Sequence, residues 1–135
     1  MSMAKILIIE DEPVVWSLLR RIITGMGHQV ELASDGQKGL ALAGQGQFDV
    51  IVSDLHMPGQ PAGMELIRQL HNLCPKCPIV IVSGYPSAET LSECEQLGIT
   101  DFLTKPFEMT FVQASIEKIL KTKAGMAPVP AKGNA

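Results

Sequence analysis

The sequence predicts an α/β protein built on a parallel sheet with helices on both of its faces. Two observations support this prediction. Segments of strand length and amphipathic segments of helix length alternate five times, and the strand segments are apolar almost throughout rather than at every second residue. Such strands are typical of a sheet that is covered on both sides. Right-handed crossovers then make the doubly wound arrangement, a three-layer (βα)5 sandwich, the default.

Five short segments are predicted as strands. The predicted strands cover residues 5–9, 29–33, 50–53, 79–82 and 100–103. The carboxyl ends of parallel strands meet at one edge of a sheet, where the working crevice of an open α/β fold lies. The residues that directly follow these segments are therefore expected to lie close together.

Each predicted strand is followed by a helix with one apolar stripe. The first helix begins at Pro13, which suits the first turn of a helix, and ends near Gly25. Ser34 or Asp35 is expected to cap the second helix, and Ser87 the fourth. The third helix is predicted over residues 63–72, and the fifth fades at residues 121–123. The predicted stripes are Val15, Leu18, Leu19, Ile22 and Ile23 in the first helix, Leu66, Ile67 and Leu70 in the third, and Val112, Ile116, Ile119 and Leu120 in the fifth.

The chain has the length and composition of one globular domain, with 135 residues of which 46% are hydrophobic and 19% charged. Residues 4–122 contain all five repeats, whereas residues 123–135 are rich in Ala, Pro and Gly and are predicted to be a flexible tail or the start of a linker. A net charge of −3 argues against general nucleic-acid binding. No apolar run reaches the about 20 residues that span a membrane, and three cysteines favour a reducing cytoplasm.

Charged and hydroxyl side chains follow four of the five predicted strands. They are Glu10, Asp11 and Glu12 after the first strand, Asp54 after the third, Ser83 after the fourth and Lys105 after the fifth. Any one of these positions alone is more often a helix cap or a solvated loop, so only the joint pattern indicates a function. Neighbouring carboxylates resist ionisation unless a cation neutralises them, and hard oxygen ligands favour Mg²⁺ or Mn²⁺. A carboxylate beside such a metal can attack phosphorus, which makes a phosphoryl-accepting aspartate the predicted chemistry.

Four segments resemble the receiver domain of two-component response regulators. They are ILIIEDEP at residues 6–13, VSDLHMPG at 52–59, IVSG at 81–84 and FLTKPF at 102–107. The resemblance covers about residues 4–122 in order. It implies a flavodoxin-like sheet with the strand order 2-1-3-4-5. It also implies a phosphorylated signalling module rather than an enzyme, with at most slow self-phosphorylation and self-dephosphorylation.

The resemblance assigns roles at the metal and acceptor positions. By motif position, Asp54 takes the place of the phosphoacceptor. Glu10 and Asp11 take the places of the acidic pair that holds Mg²⁺ or Mn²⁺, with Asp11 the expected direct ligand. His56 is expected to offer its backbone carbonyl to the metal, and its imidazole is at most a modulator.

The same comparison assigns the switch positions. Ser83 takes the place of the hydroxyl that turns toward the phosphoryl group, and Phe102 that of the switch aromatic. Lys105 takes the place of the family's lysine and is expected to precede a cis peptide to Pro106. Three features depart from the usual pattern: Glu instead of Asp at position 10, Phe instead of Tyr at position 102, and a loop after position 54 that is one residue longer.

The resemblance also implies partners. A histidine kinase or a phosphotransfer protein would donate the phosphoryl group to Asp54 in a Mg²⁺-dependent reaction. The face formed by the fourth helix, fifth strand and fifth helix would then change shape. That face would act on a downstream protein or an attached output domain, or form a phosphorylation-dependent homodimer. No direct contact with nucleic acid or membrane is expected.

Other interpretations stay open at this point. The chain is either a single-domain regulator, a receiver from a longer protein such as a hybrid histidine kinase, or a non-phosphorylated pseudo-receiver that acts by binding. A metal-dependent aspartyl phosphatase is a remote alternative, because it needs a second carboxylate two residues after the nucleophile, where this chain has His56. A flavin or nucleotide carrier has little support, since no glycine-rich loop follows the first strand.

Two further features have competing interpretations. Trp16 lies off the apolar stripe of the first helix, and is either a partly buried ring or a docking contact for the kinase. His71, Cys74 and Cys77 have the spacing of metal ligands, but Cys94 is the only other thiol. Because this cysteine pair closes a helix rather than opening one, a structural role is expected.

Overall fold

The structure is a computed structural model that describes residues 3–126 and the side chains of residues 3–122. Strands and helices alternate along the chain as predicted. The strands are β1 (Lys5–Ile9), β2 (Gln29–Ala33), β3 (Val50–Asp54), β4 (Ile79–Ser83) and β5 (Asp101–Thr104). The helices are α1 (Pro13–Gly25), α2 (Gly36–Gln45), α3 (Gly63–Leu73), α4 (Ala88–Gln96) and α5 (Met109–Met126). Among the described residues, no helix is long and apolar enough to cross a bilayer.

The strands form one parallel sheet in the order β2-β1-β3-β4-β5, which confirms the predicted topology. β1 is an inner strand that pairs on both sides. Its residue Ile8 is opposite Leu32 of β2 and opposite Val52 of β3. The chain order of the sheet reverses between β1 and β3. The carboxyl ends of these two strands therefore flank the crevice in which a doubly wound fold places its site.

The central strands bury side chains on both faces and so divide the core into two clusters. Ile8 of β1 belongs to the first core cluster, together with Leu19 of α1 and Ile116 of α5. The next residue, Ile9, belongs to the second core cluster, with Leu66 of α3. This alternation explains why the strands are apolar at every position, since each full burial of an aliphatic side chain contributes about 1.5 to 3 kcal/mol.

Helix α1 departs from its predicted stripe at one residue. Leu19, Ile22 and Ile23 are buried as expected, but Leu18 is 41% exposed. At 100° per residue, Leu18 lies roughly 90° from the centre of the buried stripe, at its border. The prediction that Leu18 faces the core was therefore wrong, because Leu18 lies at the border of the buried stripe and not within it.

Helix α5 is longer than the sequence analysis predicted. It continues to Met126 instead of fading at residues 121–123. No proline interrupts the chain before Pro128, so nothing in these residues breaks the helix. Beyond Met126, the predicted tail lies outside the described residues.

The helix caps and strand ends refine the predictions by one residue at most. Asp35 caps α2 by accepting a 2.8 Å hydrogen bond from the backbone N–H of Lys38. Ser87 caps α4 in the same way, accepting from Thr90 at 3.1 Å, as predicted. β3 and β4 each extend one residue further than predicted, and β5 begins and ends one residue later, at Asp101 and Thr104.

Candidate functional site

Asp54 is the last residue of β3 and is 1% exposed. Strand register fixes its surroundings, because Asp54 is paired with Val82 and the following residue of β4, Ser83, is paired with Thr104 of β5. The N–H of Lys105 donates to the carbonyl of Ser83 at 3.0 Å. The carboxylate, the hydroxyl and the lysine are thus held at one edge of the sheet by the hydrogen-bond ladder.

The ammonium of Lys105 is shared by three carboxylates from two strand ends. Its Nζ lies 3.2 Å from Oε1 of Glu12, 3.4 Å from Oδ2 of Asp54 and 3.8 Å from Oε1 of Glu10. Burial alone disfavours the charged ammonium, but the hydrogen bond to Glu12 and the charges of Asp54 and Glu10 outweigh it and raise the pKa of Lys105. Lys105 is therefore a fixed positive charge at the edge.

Both oxygens of Asp54 have defined partners. Oδ2 accepts from Lys105, and Oδ1 accepts a 3.1 Å hydrogen bond from the backbone N–H of His56. The His56 imidazole itself is on the exposed side of the loop, with its Nε2 3.5 Å from Oγ of Ser83. Ser83 is 2% exposed, so its hydroxyl lines the buried wall beside Asp54.

Glu10 is a buried carboxyl, 1% exposed, at the end of β1. Its Oε2 accepts from the N–H of Glu12 at 3.2 Å. Burial, and next the negative charge of Asp54, raise the pKa of Glu10 to about 7. A carboxyl with that pKa is only partly ionised near neutrality, and an added positive charge would favour its ionised form.

The arrangement fits a divalent cation. Carboxylate oxygens of Glu10, Glu12 and Asp54 lie within 4.8 Å of one another, the only such group of three or more metal-ligating side chains in the described part of the chain. Two buried oxygens, Oε1 of Glu10 and Oδ1 of Asp11, have no hydrogen-bond partner among these residues. Unpartnered hard oxygens beside a carboxyl that resists ionisation are the donor set that Mg²⁺ or Mn²⁺ satisfies.

The acidic trio that the structure brings together includes a residue to which the sequence analysis gave no role. Glu10 and Asp54 are members as predicted, but Asp11 is not part of this group and Glu12 is. Glu12 had no assigned role in the sequence analysis, although it belongs to the acidic run. Glu12 directly precedes Pro13 and is the N-cap residue of α1. This position is the signal in the sequence that could have placed Glu12 near the strand ends.

Of the two residues predicted to form the switch, Ser83 is the last residue of β4 and Phe102 is the second residue of β5. Phe102 is half-buried and packs against the second core cluster. The cis peptide between Lys105 and Pro106 is confirmed. A second cis peptide joins Gln60 to Pro61 in the long loop after β3, and it was not predicted.

Two competing interpretations can now be compared with the structure. Trp16 is half-buried and packs against the first core cluster, as a covering ring would, and Val14 is the large hydrophobic residue that α1 exposes most, at 81%. Cys74 Sγ contacts the carbonyl of Ala43 at 3.5 Å, whereas Cys77 Sγ contacts that of Phe48 at 3.3 Å. The two thiols thus approach separate carbonyls, and they form no metal-ligating group with His71 among the described residues.

Large hydrophobic side chains are also exposed on α4, at the start of α5 and in the loop before α4. Leu91 of α4 and Phe111 at the start of α5 are 43% and 57% exposed, and Tyr85, in the loop before α4, is 94% exposed. Between these helices, Lys118 of α5 forms a 3.1 Å ion pair with Asp101 of β5. This is the face that the sequence analysis expected to change shape.

Parallel strands in this order, with carboxylates and a lysine at their carboxyl edge, define a flavodoxin-like α/β signalling fold. A family model described as response regulator receiver domain matches residues 6–117. The chain belongs to the response regulator receiver domain family, as the sequence motifs indicated.

Individual relatives give the same picture. The transcriptional regulatory protein ZraR of Escherichia coli K12 is 30% identical over 115 residues, which are 85% of this chain and 26% of ZraR. CusR of the same organism is 30% identical over 122 residues, 90% of this chain and 53% of CusR. The chain therefore spans about a quarter to a half of these curated relatives.

Solved structures agree in fold. The chemotaxis protein CheY4 of Vibrio cholerae superposes with a TM-score of 0.80 at 30% identity, covering 88% of this chain and all of that one. A CheY-like receiver domain of Methanospirillum hungatei JF-1 gives 0.86 at 26% identity, covering 92% and 98%. NtrX of Brucella abortus gives 0.83 at 27% identity, covering 91% of this chain and 28% of NtrX.

Proposed function

We propose that this receiver accepts a phosphoryl group on Asp54 from a histidine kinase or a phosphotransfer protein. The observation that supports it most directly is the position of the Lys105 ammonium, 3.4 Å from Oδ2 of a carboxylate that is 1% exposed. A buried carboxylate beside a fixed cation and a cation-binding trio can stabilise the charge that develops on a transferring phosphoryl group. The neighbouring face between α4 and α5 supplies a place for the output.

The transfer itself needs few protein groups. One carboxylate oxygen of Asp54 forms a bond to phosphorus while the bond between phosphorus and the donor's imidazole nitrogen breaks, and the electron pair leaves with the imidazole. Lys105 neutralises a phosphoryl oxygen during this step. The N–H of His56 keeps the second oxygen of Asp54 in place, since it donates to Oδ1 at 3.1 Å.

The residues that we propose for the metal are Glu10, Asp11, Asp54 and the backbone carbonyl of His56, as the family pattern implies. Glu12 lies in the same acidic trio, but its carboxylate is paired with Lys105. A bound Mg²⁺ or Mn²⁺ would supply charge neutralisation at the phosphoryl oxygens. The chain's own contribution is to hold these oxygens together at one edge of the sheet.

The switch follows from the charge of the product. A phosphoryl group carries about −2 and presents strong acceptor oxygens, so it attracts the hydroxyl of Ser83 away from His56. Phe102 then turns toward the space that Ser83 leaves, and the surface of α4, β5 and α5 changes. Shifting a two-state equilibrium from 1:99 to 99:1 takes about 5.5 kcal/mol, which a few charge-assisted hydrogen bonds of about 1.5 to 3 kcal/mol each can provide.

The exposed hydrophobic side chains suggest where the partners bind. The donor is proposed to dock on the exposed side of α1, where Val14 and Leu18 are 81% and 41% exposed, and not on Trp16. The face that bears Leu91 and Phe111 is proposed to contact an attached output domain, a downstream protein or a second copy of the chain. A reducing cytoplasm is the compartment that we propose from the cysteine count.

The test uses acetyl phosphate and Mg²⁺ with intact-mass measurement. The wild-type chain should gain one phosphate, and Asp54→Asn should gain none. Asp49→Asn is the matched control, because Asp49 directly precedes β3 and so lies at the opposite end of that strand from Asp54. Phosphate gain by Asp54→Asn would refute the assignment, and EDTA should abolish the gain in the wild type.

A further inference from the structure

Glu12 is the partner nearest to the Lys105 ammonium among the carboxylates of the site. The distance from its Oε1 to Nζ is 3.2 Å, compared with 3.4 Å for Asp54 and 3.8 Å for Glu10. The Glu12 side chain is also 60% exposed, whereas those of Glu10 and Asp54 are 1% exposed. It is therefore the member of the trio that is free to leave.

The backbone of Glu12 is fixed although its carboxylate is exposed. Its N–H donates to Oε2 of Glu10 at 3.2 Å, and its carbonyl accepts from the N–H of Trp16 at 3.0 Å in the first turn of α1. Glu12 is the N-cap residue of α1, yet its side chain makes no capping hydrogen bond. The side chain is thus aimed over the site and bonded to Lys105 rather than to its own helix.

A phosphoryl group on Asp54 would meet this carboxylate. The carboxylate oxygens of Glu12 and Asp54 lie within 4.8 Å of each other. Phosphoryl oxygens extend beyond the Asp54 oxygen into that interval, and their charge of about −2 repels a carboxylate there. While Glu12 remains the closest partner of Lys105, the attraction between the Lys105 ammonium and the phosphoryl oxygens is weakened.

We infer that Glu12 is a resident counter-ion that occupies Lys105 in the resting receiver and must be displaced when a phosphoryl anion arrives. The inference rests on the proposed function of Asp54 as the acceptor. Glu12 is then a positioning residue that weakens the affinity of the resting site for phosphoryl anions. Glu12 therefore raises the concentration that a small anion needs to occupy the site when no docked donor provides additional contacts.

Beryllofluoride, which binds a carboxylate oxygen as a stand-in for a phosphoryl group, gives the direct test. Its dissociation constant is measured by calorimetry at saturating Mg²⁺ for the wild type and Glu12→Gln. Exposed ion pairs contribute about 0.2 to 1 kcal/mol, so Glu12→Gln should bind beryllofluoride about 1.4- to fivefold more tightly. Raising the salt to about 0.5 M should shrink this difference, because salt screens exposed pairs.

Two further variants separate the contact from general effects of charge. Glu12→Asp keeps the charge but shortens the side chain by one methylene, so it should lose the contact with Lys105 and bind like Glu12→Gln. Glu31→Gln is the matched control, because it removes an ion pair of the same 3.2 Å length, to Lys5, at the other end of β1. Its affinity for beryllofluoride should equal that of the wild type.

The outcomes are distinct. Equal affinities of the wild type and Glu12→Gln would overturn the inference while leaving Asp54 as the acceptor, and so would a weaker affinity of Glu12→Gln. Wild-type affinity in Glu12→Asp would refute the direct contact. If the wild type neither binds beryllofluoride nor gains phosphate from acetyl phosphate, the proposed function fails, and the inference fails with it.

Discussion

Replacing Glu10 with Gln should stabilise the metal-free protein at alkaline pH and leave its stability in acid almost unchanged relative to the wild type. In the folded protein the pKa of Glu10 is raised from 4.5 to about 7, first by burial and next by the charge of Asp54. The folded state therefore binds this proton more tightly than the unfolded chain does. A glutamine has no proton to lose, and its amide can donate to Asp54 as the protonated carboxyl does.

The sign and size follow from proton linkage. Stability falls with rising pH wherever the folded state holds more protons than the unfolded state, which for Glu10 is the interval from 4.5 to about 7. Below this interval both states are protonated and the effect is absent; above it the loss is complete. At about 1.4 kcal/mol per pKa unit, the wild type loses about 3 kcal/mol across the interval, and Glu10→Gln is spared that loss.

The assay is urea unfolding in EDTA at a series of pH values from about 4 to 8, followed by Trp16 fluorescence and circular dichroism. The quantity of interest is the free energy of unfolding of Glu10→Gln minus that of the wild type. This difference should rise by about 3 kcal/mol between the acid and alkaline ends. Glu117→Gln, an exposed glutamate of α5, serves as the control and should give a flat difference.

A flat difference for Glu10→Gln would refute the reasoning, since it would mean that Glu10 ionises as readily in the fold as in water. A difference that falls with pH would contradict even the direction. Mg²⁺ gives a complementary prediction for the wild type. At about one hundred times its dissociation constant it should add about 2.7 kcal/mol of stability, and its affinity should weaken as the pH falls below 7 and Glu10 takes up its proton.

The remaining predictions concern the packing that supports the site, and urea unfolding checks each of them. Gly36→Ala should destabilise the protein by more than about 2 kcal/mol, because its Cβ would stand 2.1 Å from the backbone carbonyl oxygen of Pro61. Gly25→Ala, whose Cβ meets no atom within 4 Å, should be neutral or slightly stabilising, and equal losses in the two variants would contradict this account. His28→Phe should cost about 1 to 3 kcal/mol, because it leaves the buried N–H of Ala4 without the 3.0 Å acceptor that His28 Nδ1 provides. A variant that keeps an acceptor, His28→Gln, should lose less.

The strand segments and the fold order could be predicted because the pattern is redundant. Each inner strand is apolar on both faces, so β1, β3 and β4 are recognisable without knowing which residue points to which side. The residues after those strands could likewise be placed at one edge by topology alone. Asp54, Ser83 and Lys105 meet there as expected, within reach of Glu10.

The details that could not be predicted depend on distances between elements in the folded chain, whereas the sequence pattern gives only the order of the elements. Whether Leu18 is covered depends on how far the sheet extends under α1, and helix periodicity does not contain that information. Whether Asp11 or Glu12 joins the acidic trio depends on how the chain turns between β1 and α1. The cis peptide before Pro61 belongs to a loop whose conformation no hydrophobic pattern specifies.

The division of the core between the two faces of the sheet has a consequence for how such a receiver can diversify. Helix α1, the proposed docking helix, draws its packing from the first core cluster together with α5, whereas Phe102 packs against the second. The next residue, Leu103, already belongs to the first. Substitutions around Phe102 and α4 therefore meet the opposite side of the sheet from α1, whereas substitutions on the buried side of α5 meet the same core cluster as α1.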